Sequence, residues 1–175
     1  MPYQYKREPL TPHEANRLTN ACQTHEEKRV VWALLDTGLC VSELASLGKD
    51  TLDRQNHWLM IYGKGGPSGS RSKRRLIPLS ARVQPPLEGY LALYDSFGVT
   101  PRTMQRQVKR VATRAHIRRP VTPHVLRHTF SVTAIQKGIS LPALQRLLGH
   151  DRLTTTAISL NRSLEKVLRE FQEPW

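Results

Sequence analysis

The sequence predicts one domain, mainly α-helical with a small antiparallel β-hairpin. Its 175 residues suit a single domain that buries a real core. Threonine followed by proline, a common start of a helix, occurs at Thr11 and Thr122. Strand-forming segments around a glycine-rich turn occur in residues 58–79. The remaining periodic segments are typical of helices, so helices should dominate the fold.

Helix boundaries follow from capping residues and glycines. Thr11 and Glu14 form a capping box, and Gly38, Gly138 and Gly149 stand where helices should end. Helices are predicted over about 12–23, 26–37, 81–94, 102–115, 123–137 and 141–148, with a short one opening at Ser42. Two more short helices should follow, and the last, 161–175, is amphipathic.

The hairpin prediction depends on residues 58–62 (WLMIY) and 75–79 (RLIPL), which are rich in strand-forming side chains. Between them, residues 63–69 (GKGGPSG) predict a long glycine-rich tip. Lys64 in that tip, taken alone, would ordinarily be a solvated turn lysine.

Positive charge is concentrated in one part of the chain. The net charge is +13, and residues 71–119, the basic block, hold twelve lysines and arginines against only Glu88 and Asp95. The block therefore carries +10 of the +13. Such a one-signed block favours binding to a polyanion, with nucleic acid as the first choice.

Several classes of protein do not fit this composition. No apolar run approaches the roughly 20 residues of a membrane helix, and the N-terminus lacks the apolar stretch of a secretory signal. Cys22 and Cys40 lack the spacing of a zinc or redox motif, which favours a reducing compartment. We therefore expect a cytoplasmic, nucleoid-associated protein without a membrane partner.

Residues 123–128 (PHVLRH) carry the sharpest local signal. His124 and Arg127 are three apart in the first turn of a predicted helix, where backbone N–H groups favour an anion. A guanidinium beside an imidazole suits a phosphate. His150, just past another helix end, would more often be structural when taken alone.

A metal site is the alternative interpretation of the same histidines. His124 and His128 have the four-residue spacing of a helical metal pair. No carboxylate lies between them and no cysteine is near, so we expect no metal. His128 is better interpreted as a core-facing or capping histidine.

Four segments together resemble the tyrosine recombinase (phage integrase) family, which includes the bacterial chromosome-dimer resolvases. They are the first box, residues 37–44 (TGLCVSEL), the lysine loop, 63–65 (GKG), the second box, 123–128 (PHVLRH), and the last box, 147–156 (LLGHDRLTTT). The resemblance runs from about residue 10 to about 168. It implies the family's catalytic-domain fold across a single domain, 1–175, without the family's preceding core-binding domain.

The resemblance also implies a chemistry. In the family, a tyrosine attacks a DNA phosphodiester to form a 3′-phosphotyrosine, while arginines and histidines stabilise the developing charge without a metal or other cofactor. Lys64 would be the general acid and His124 would support the nucleophile or the phosphate. Arg127 would be the second clamping arginine, and His150 would hydrogen-bond the phosphate.

Two positions depart from the family pattern. Cys40 stands where the first arginine should follow Thr-Gly-Leu, and it has no permanent charge. Ser159 stands where the nucleophilic tyrosine should lie, nine residues after His150, and none of the five tyrosines follows that histidine. An engineered knock-out usually changes one residue, so two changes favour natural decay of a recombinase. We therefore expect a chain that binds double-stranded DNA without cutting it.

The DNA-binding residues should come from the hairpin and the basic helix. The candidates are Arg71, Lys73, Arg74 and Arg75 from the hairpin, and Arg102, Arg106, Lys109 and Arg110 from the helix. In the family, the C-terminal helix packs on a neighbouring subunit, whereas docking on its own domain is the alternative for 161–175. Three functions stay open: an active recombinase, a cleavage-inactive DNA-binding relative, and an unrelated helix-rich DNA-binding regulator.

Overall fold

The computed structural model describes residues 8–62 and 74–149, in which helices surround a small sheet. In chain order, the elements are α1 (Pro12–Asn20), α2 (His25–Thr37), α3 (Val41–Ala45), a 3-10 helix (Lys49–Thr51), β1 (Leu52–Asp53), β2 (Trp58–Tyr62), β3 (Arg74–Pro78), α4 (Gln84–Leu93), α5 (Pro101–Arg114), α6 (Pro123–Gln136) and α7 (Leu141–Leu148). The predicted fold class, mainly α with a small antiparallel sheet, is confirmed.

Helix α2 is the centre of the hydrophobic core. Its side chains Val30, Val31, Ala33 and Leu34 are fully buried. Because α2 contacts α1, α3, α4, α5 and α6, these apolar side chains face neighbours around most of its circumference. Fully burying one such valine or leucine contributes about 1.5–3 kcal/mol, which explains why this helix organises the domain.

The C-terminal end of α2 is fixed by a glycine that makes a close approach possible. Gly38 has φ of +66°, in the left-handed region, and ends the helix. A Cβ atom at this position would lie 2.3 Å from the Phe130 ring of α6. Gly38 therefore lets the first box pack directly against α6.

The sheet is antiparallel in the order β1-β2-β3. Leu59 pairs with Ile77 and Ile61 pairs with Arg75, which confirms the predicted hairpin. Leu59, Ile61 and Ile77 are buried on one face. Strand β1 was not predicted, since a two-residue strand is too short to show an alternating pattern.

Two predicted helix boundaries differ from the structure. Helix α1 ends at Asn20 rather than about residue 23, since the Ala21 N–H already turns back to Arg17 O and Thr24 caps α2. Helix α4 begins at Gln84 rather than 81. Because prolines fit only in the first helical turn, the prolines at positions 85 and 86 set that start.

A second, smaller apolar cluster holds α7 against α6. Ala134 of α6 packs with Leu144 and Leu148 of α7, and Phe130 lies partly buried beside them. Strand β3 also contacts α7. The end of α7, where the last box begins, is thereby brought next to the first and second boxes.

Candidate functional site

Arg127 joins three of the four boxes. Its Nη1 donates to the carbonyl oxygen of Gly38 at 2.6 Å, and its Nη2 donates to that of Leu148 at 2.8 Å. Gly38 belongs to the first box and Leu148 to the last, while Arg127 lies in the second. The structure therefore brings together segments separated by about a hundred residues in the sequence, as the resemblance implied.

Glu43, on α3, is the acidic centre of this cluster. Its Oε2 accepts from the Cys40 backbone N–H at 3.0 Å and lies 3.5 Å from Arg127 Nη1. Its Oε1 accepts from Arg75 Nη2 at 2.6 Å. Burial alone would raise the pKa of Glu43, but these hydrogen bonds and the charges of Arg75 and Arg127 hold it below its ordinary value. Glu43 is therefore a carboxylate at neutral pH.

Arg75 lies inside this cluster, with only 11% of its side chain exposed. Its Nε donates to Leu147 O at 2.8 Å, in addition to the contact with Glu43. We expected an exposed side chain reaching a DNA groove, and the observed placement differs. Because Arg75 pairs with Ile61 on β2, its position in the sheet directs it toward the protein interior.

Two arginines share one glutamate in this cluster. Among the residues that the structure describes, the guanidinium groups of Arg75 and Arg127 both face the carboxylate of Glu43. Burial lowers the pKa of Arg127, whereas the charge of Glu43 raises it again. Since the pKa of arginine ordinarily lies far above neutral, Arg127 keeps its charge at neutral pH.

Cys40 is the N-cap residue of α3 and lies at the edge of the cluster. It is partly exposed, and its backbone N–H donates to the same Glu43 carboxylate that faces Arg127. A thiol in this place brings no permanent positive charge. An arginine side chain here would bring a second fork of hydrogen-bond donors beside Arg127.

The two histidines of α6 lie in different surroundings. His124, in the first turn, is exposed, three residues before Arg127. His128 is half-buried, and that burial lowers its pKa, so it is neutral at physiological pH. This placement agrees with the interpretation of His128 as a core-facing side chain. Within the described residues, no three His, Cys, Asp or Glu side chains group as a metal site requires.

Helix α5 presents a basic face. Arg102, Arg106, Lys109 and Arg110 are all exposed. An open surface depression on this helix is lined by Arg106, Lys109, Arg110, Thr113 and Arg114. On the hairpin, Arg74 is exposed. These side chains are placed where a polyanion could reach them.

Comparison with known proteins identifies the family. The chain matches the phage integrase family over residues 8–163. The chain belongs to the phage integrase family. Tyrosine recombinase XerA of Thermococcus onnurineus is 31% identical over 180 residues, covering 94% of this chain and 61% of that relative. The chain thus spans about three fifths of that curated relative's length.

Solved structures of the family share the fold. A crystal structure of XerA recombinase superposes with a TM-score of 0.77 at 26% identity, covering 95% of this chain and 66% of that one. XerH recombinase, bound to a palindromic difH substrate in a post-cleavage complex, gives 0.74 at 21% identity, covering 95% and 54%. The domain therefore has the tyrosine recombinase catalytic-domain fold.

Several of the expected integrase-family site residues lie outside the described residues. They are Lys64, Arg71, Lys73, His150 and Ser159, together with the segment 161–175. Their roles stay predictions. In the part of the chain that the structure covers, no helix is long and apolar enough to cross a bilayer.

Sequence reasoning missed the acidic partners of the basic block in this integrase-family domain. Among the block residues that the structure describes, four arginines form ion pairs with acids from outside the block: Arg75 with Glu43, Arg82 with Asp36, Arg114 with Glu27 and Arg119 with Glu14. The count of opposing acids within the block could not reveal them. The exposed basic surface is therefore smaller than the sequence suggested.

Proposed function

We propose that this domain binds double-stranded DNA through the family's phosphate site and does not cleave it. The observation that carries the proposal is Cys40. This side chain, which has no permanent charge, stands at the first-arginine position, beside the intact Arg127 and Glu43. The site therefore has part of the family's phosphate clamp without the family's first arginine.

Cys40 and Ser159, the two departures from the family pattern, each give a physical reason to expect a loss of cleavage. Removing one donor that stabilises a transition state costs about 10²–10³ in rate, by analogy with other enzymes. A serine hydroxyl lies several ångströms closer to its backbone than a tyrosine hydroxyl. Ser159 would then not reach a phosphate that the family's tyrosine attacks. Together the two changes remove the nucleophile and weaken the clamp, while Lys64, His124, Arg127 and His150 would still favour phosphate binding.

DNA is the partner that the exposed charge favours. Arg74, on the hairpin, and Arg102, Arg106, Lys109 and Arg110, on α5, are the described members of the proposed DNA surface. Contacts from such side chains go mainly to phosphates and position the duplex. XerH, which shares the fold, was captured on its difH substrate. A DNA-binding domain of this kind would act at the nucleoid.

An unrelated helix-rich regulator is the weaker candidate. That class would not require the β2–β3 hairpin, which this domain contains close to the predicted positions. Membership of the integrase family also favours a recombinase ancestry. We therefore retain the cleavage-inactive DNA-binding domain as the proposed function.

A suicide-substrate assay tests the proposal. The unmodified chain and the Cys40→Arg/Ser159→Tyr double variant are incubated with nicked duplexes that trap a covalent protein–DNA adduct. The unmodified chain should bind without forming an adduct, and the double variant should form one. The single variants serve as controls: Cys40→Arg restores only the phosphate clamp, and Ser159→Tyr restores only the nucleophile. An adduct with the unmodified chain would refute inactivity, and absence of binding to any duplex would refute the DNA function.

Self-association through residues 161–175 is a further part of the proposal. Leu164, Val167, Leu168 and Phe171 recur at helical spacing, which suits docking of an apolar face. Sedimentation of the full chain and of a chain ending at residue 160, each on DNA, distinguishes self-association from docking of this segment on its own domain. A full chain that stays monomeric on DNA would instead favour docking on its own domain.

A further inference from the structure

We infer that Arg75 is a positioning residue that, with Glu43 and Arg127, fixes the end of α7 from which His150 continues. The inference deepens the proposed function, because it concerns how the phosphate site is held. It assigns Arg75 to the interior of that site rather than to the DNA surface. The contacts at the end of α7 support it.

The end of α7 exposes carbonyl groups that need donors. The last four carbonyls of any α-helix have no partner within the helix. Here Leu147 O accepts from Arg75 Nε, and Leu148 O accepts from Arg127 Nη2, each at 2.8 Å. Two arginines from distant elements, β3 and α6, therefore hold two consecutive carbonyls of the last box.

Glu43 couples the two arginines to each other. Arg75 Nη2 lies 2.6 Å from Glu43 Oε1, and Arg127 Nη1 lies 3.5 Å from Oε2. The planar guanidinium of Arg75 reaches a carbonyl and a carboxylate at once, which a lysine ammonium cannot reproduce in the same geometry. Glu43 of the first box thus holds both arginines that bind the end of α7, where the last box begins.

Gly149 brings Arg75 against the residue that directly precedes His150. Gly149 has φ of +69° and follows α7. A Cβ atom at this position would lie 2.7 Å from Arg75 Nη1 and 3.0 Å from Cζ. The guanidinium therefore occupies the space that a side chain at position 149 would need. Moving Arg75 would release the Leu147 carbonyl and open this space beside Gly149.

Arg74 provides the matched control. It neighbours Arg75 on β3, but successive residues of a strand point to opposite faces. Arg74 is exposed, whereas Arg75 is 11% exposed. Substituting either residue by glutamine removes the same charge from adjacent positions. Only the Arg75 variant should alter the end of α7.

Nuclear magnetic resonance of the DNA-free chain is the first test. In Arg75→Gln and Arg75→Lys, we expect faster exchange of the Leu148 and Gly149 amides, by about tenfold. The His150 ring signal should also move. Arg74→Gln should match the unmodified chain. Unchanged Gly149 and His150 signals in both Arg75 variants would overturn the inference. If Arg75→Gln does not fold, Glu43→Gln, which removes the shared acceptor charge, should give the same local changes.

Titration with inorganic phosphate separates positioning from simple charge. The His150 ring signal is followed as phosphate is added to each variant. Arg75→Lys keeps the charge but loses the fork, so positioning predicts a several-fold weaker phosphate affinity, similar to that of Arg75→Gln. Phosphate affinity equal to the unmodified chain in Arg75→Lys would overturn the inference.

DNA binding is then measured on the same variants. Arg74→Gln should lower the slope of the logarithm of the DNA-binding constant against the logarithm of the salt concentration by about 1, and Arg75→Gln should leave that slope unchanged. A loss of slope in Arg75→Gln equal to that in Arg74→Gln would instead place Arg75 on the DNA surface and overturn the inference. If no variant binds DNA, the proposed function fails, while the exchange measurements still decide the role of Arg75 at α7.

Discussion

Arg114 and Glu27 form a two-point ion pair that ties the end of α5 to the first turn of α2. Arg114 Nη1 lies 2.9 Å from Glu27 Oε2, and Nη2 lies 3.0 Å from Oε1. The Glu27 carboxylate is 3% exposed and also accepts from the Gln23 N–H at 2.8 Å. One acidic side chain thus caps α2 and anchors the basic helix.

This pair predicts acid sensitivity. Hydrogen bonds from Arg114, above all, hold the pKa of Glu27 at about 2, compared with 4.5 ordinarily, although desolvation opposes them. Because the unfolded chain binds the proton more tightly, stability should be lost as the pH falls from about 4.5 to about 2. The contribution is at most about 3 kcal/mol, from 1.36 kcal/mol per pKa unit.

Urea unfolding of Glu27→Gln across this pH range measures the effect. The variant should be less stable at neutral pH, and its free energy of unfolding should fall less steeply on acidification. Asp95→Asn is the control, since the Asp95 side chain is 96% exposed. Equal pH dependence of the free energy of unfolding in Glu27→Gln and the unmodified chain would contradict this prediction.

Gly38 and Gly89 should respond in opposite directions to alanine. At Gly38, φ of +66° and the Phe130 ring at 2.3 Å from a Cβ oppose any side chain. The left-handed conformation alone costs about 1–2 kcal/mol for a residue other than glycine, and the steric overlap adds to it. Gly89 lies within α4, and apart from its chain neighbours and the nearby backbone of its own helix no atom lies within 4 Å of a Cβ at that position. There alanine should stabilise by about 0.5–1 kcal/mol.

Thermal and urea unfolding of the two variants provide the measurement. Gly38→Ala should lower the free energy of unfolding and Gly89→Ala should raise it. A neutral Gly38→Ala would mean that α2 and α6 can separate at this point without loss of stability. The first and second boxes would then be less tightly joined than the structure indicates.

Local chemistry made most of the fold predictable. Thr11 with Glu14, and Gly38 after α2, mark helix ends because the backbone groups there need specific partners or φ values. The hairpin followed from strand-forming residues on both sides of a glycine-rich tip. The two-residue strand Leu52–Asp53 was not predictable, because its existence depends on pairing with β2.

The sequence predicted which residues belong to the candidate site, but not the hydrogen bonds that join them. The boxes located Arg127 and Cys40 from their spacing in the sequence. The hydrogen bonds of Arg75 to Glu43 and Leu147 join residues 32 and 72 positions apart. Such pairings depend on tertiary packing, which neither local propensity nor charge counting includes. For this reason the sequence alone predicts Arg75 on the DNA surface.

Thiol reactivity offers a direct probe of the site. Burial raises the pKa of Cys22 to about 11, so its reactive thiolate is scarce at neutral pH. Cys40 is partly exposed. In the folded chain, an aromatic disulfide reagent should therefore modify Cys40 much faster than Cys22, and both thiols should react after unfolding. Saturating duplex DNA should slow the Cys40 reaction if phosphate occupies the neighbouring site.

Modification of the folded chain should show a fast phase from Cys40 and a slow phase from Cys22. In the Cys40→Ser variant only the slow phase should remain, which assigns the two phases. The test compares the fast rate with and without duplex at low salt. A fast rate that duplex DNA leaves unchanged would contradict binding at the Arg127 cluster. Binding would then go through the exposed basic residues of the hairpin and of α5.

Three basic residues of α5 should account for part of the salt dependence of DNA binding. Arg106, Lys109 and Arg110 are exposed and line the same depression. Removing one phosphate contact should reduce the slope of the logarithm of the binding constant against the logarithm of the salt concentration by about 1. Replacing all three by glutamine should therefore reduce the slope by about 3 and weaken binding to all sequences alike.

Fluorescence anisotropy of a labelled duplex at several salt concentrations gives the slopes. Arg54→Gln is the matched control, because Arg54 is exposed in the turn between β1 and β2, at the end of the sheet away from the hairpin tip. Its slope should stay within experimental error of the unmodified chain. Equal slopes for the triple variant and Arg54→Gln would exclude α5 from the interface. The exposed charge of the helix would then contribute to solubility rather than to DNA binding.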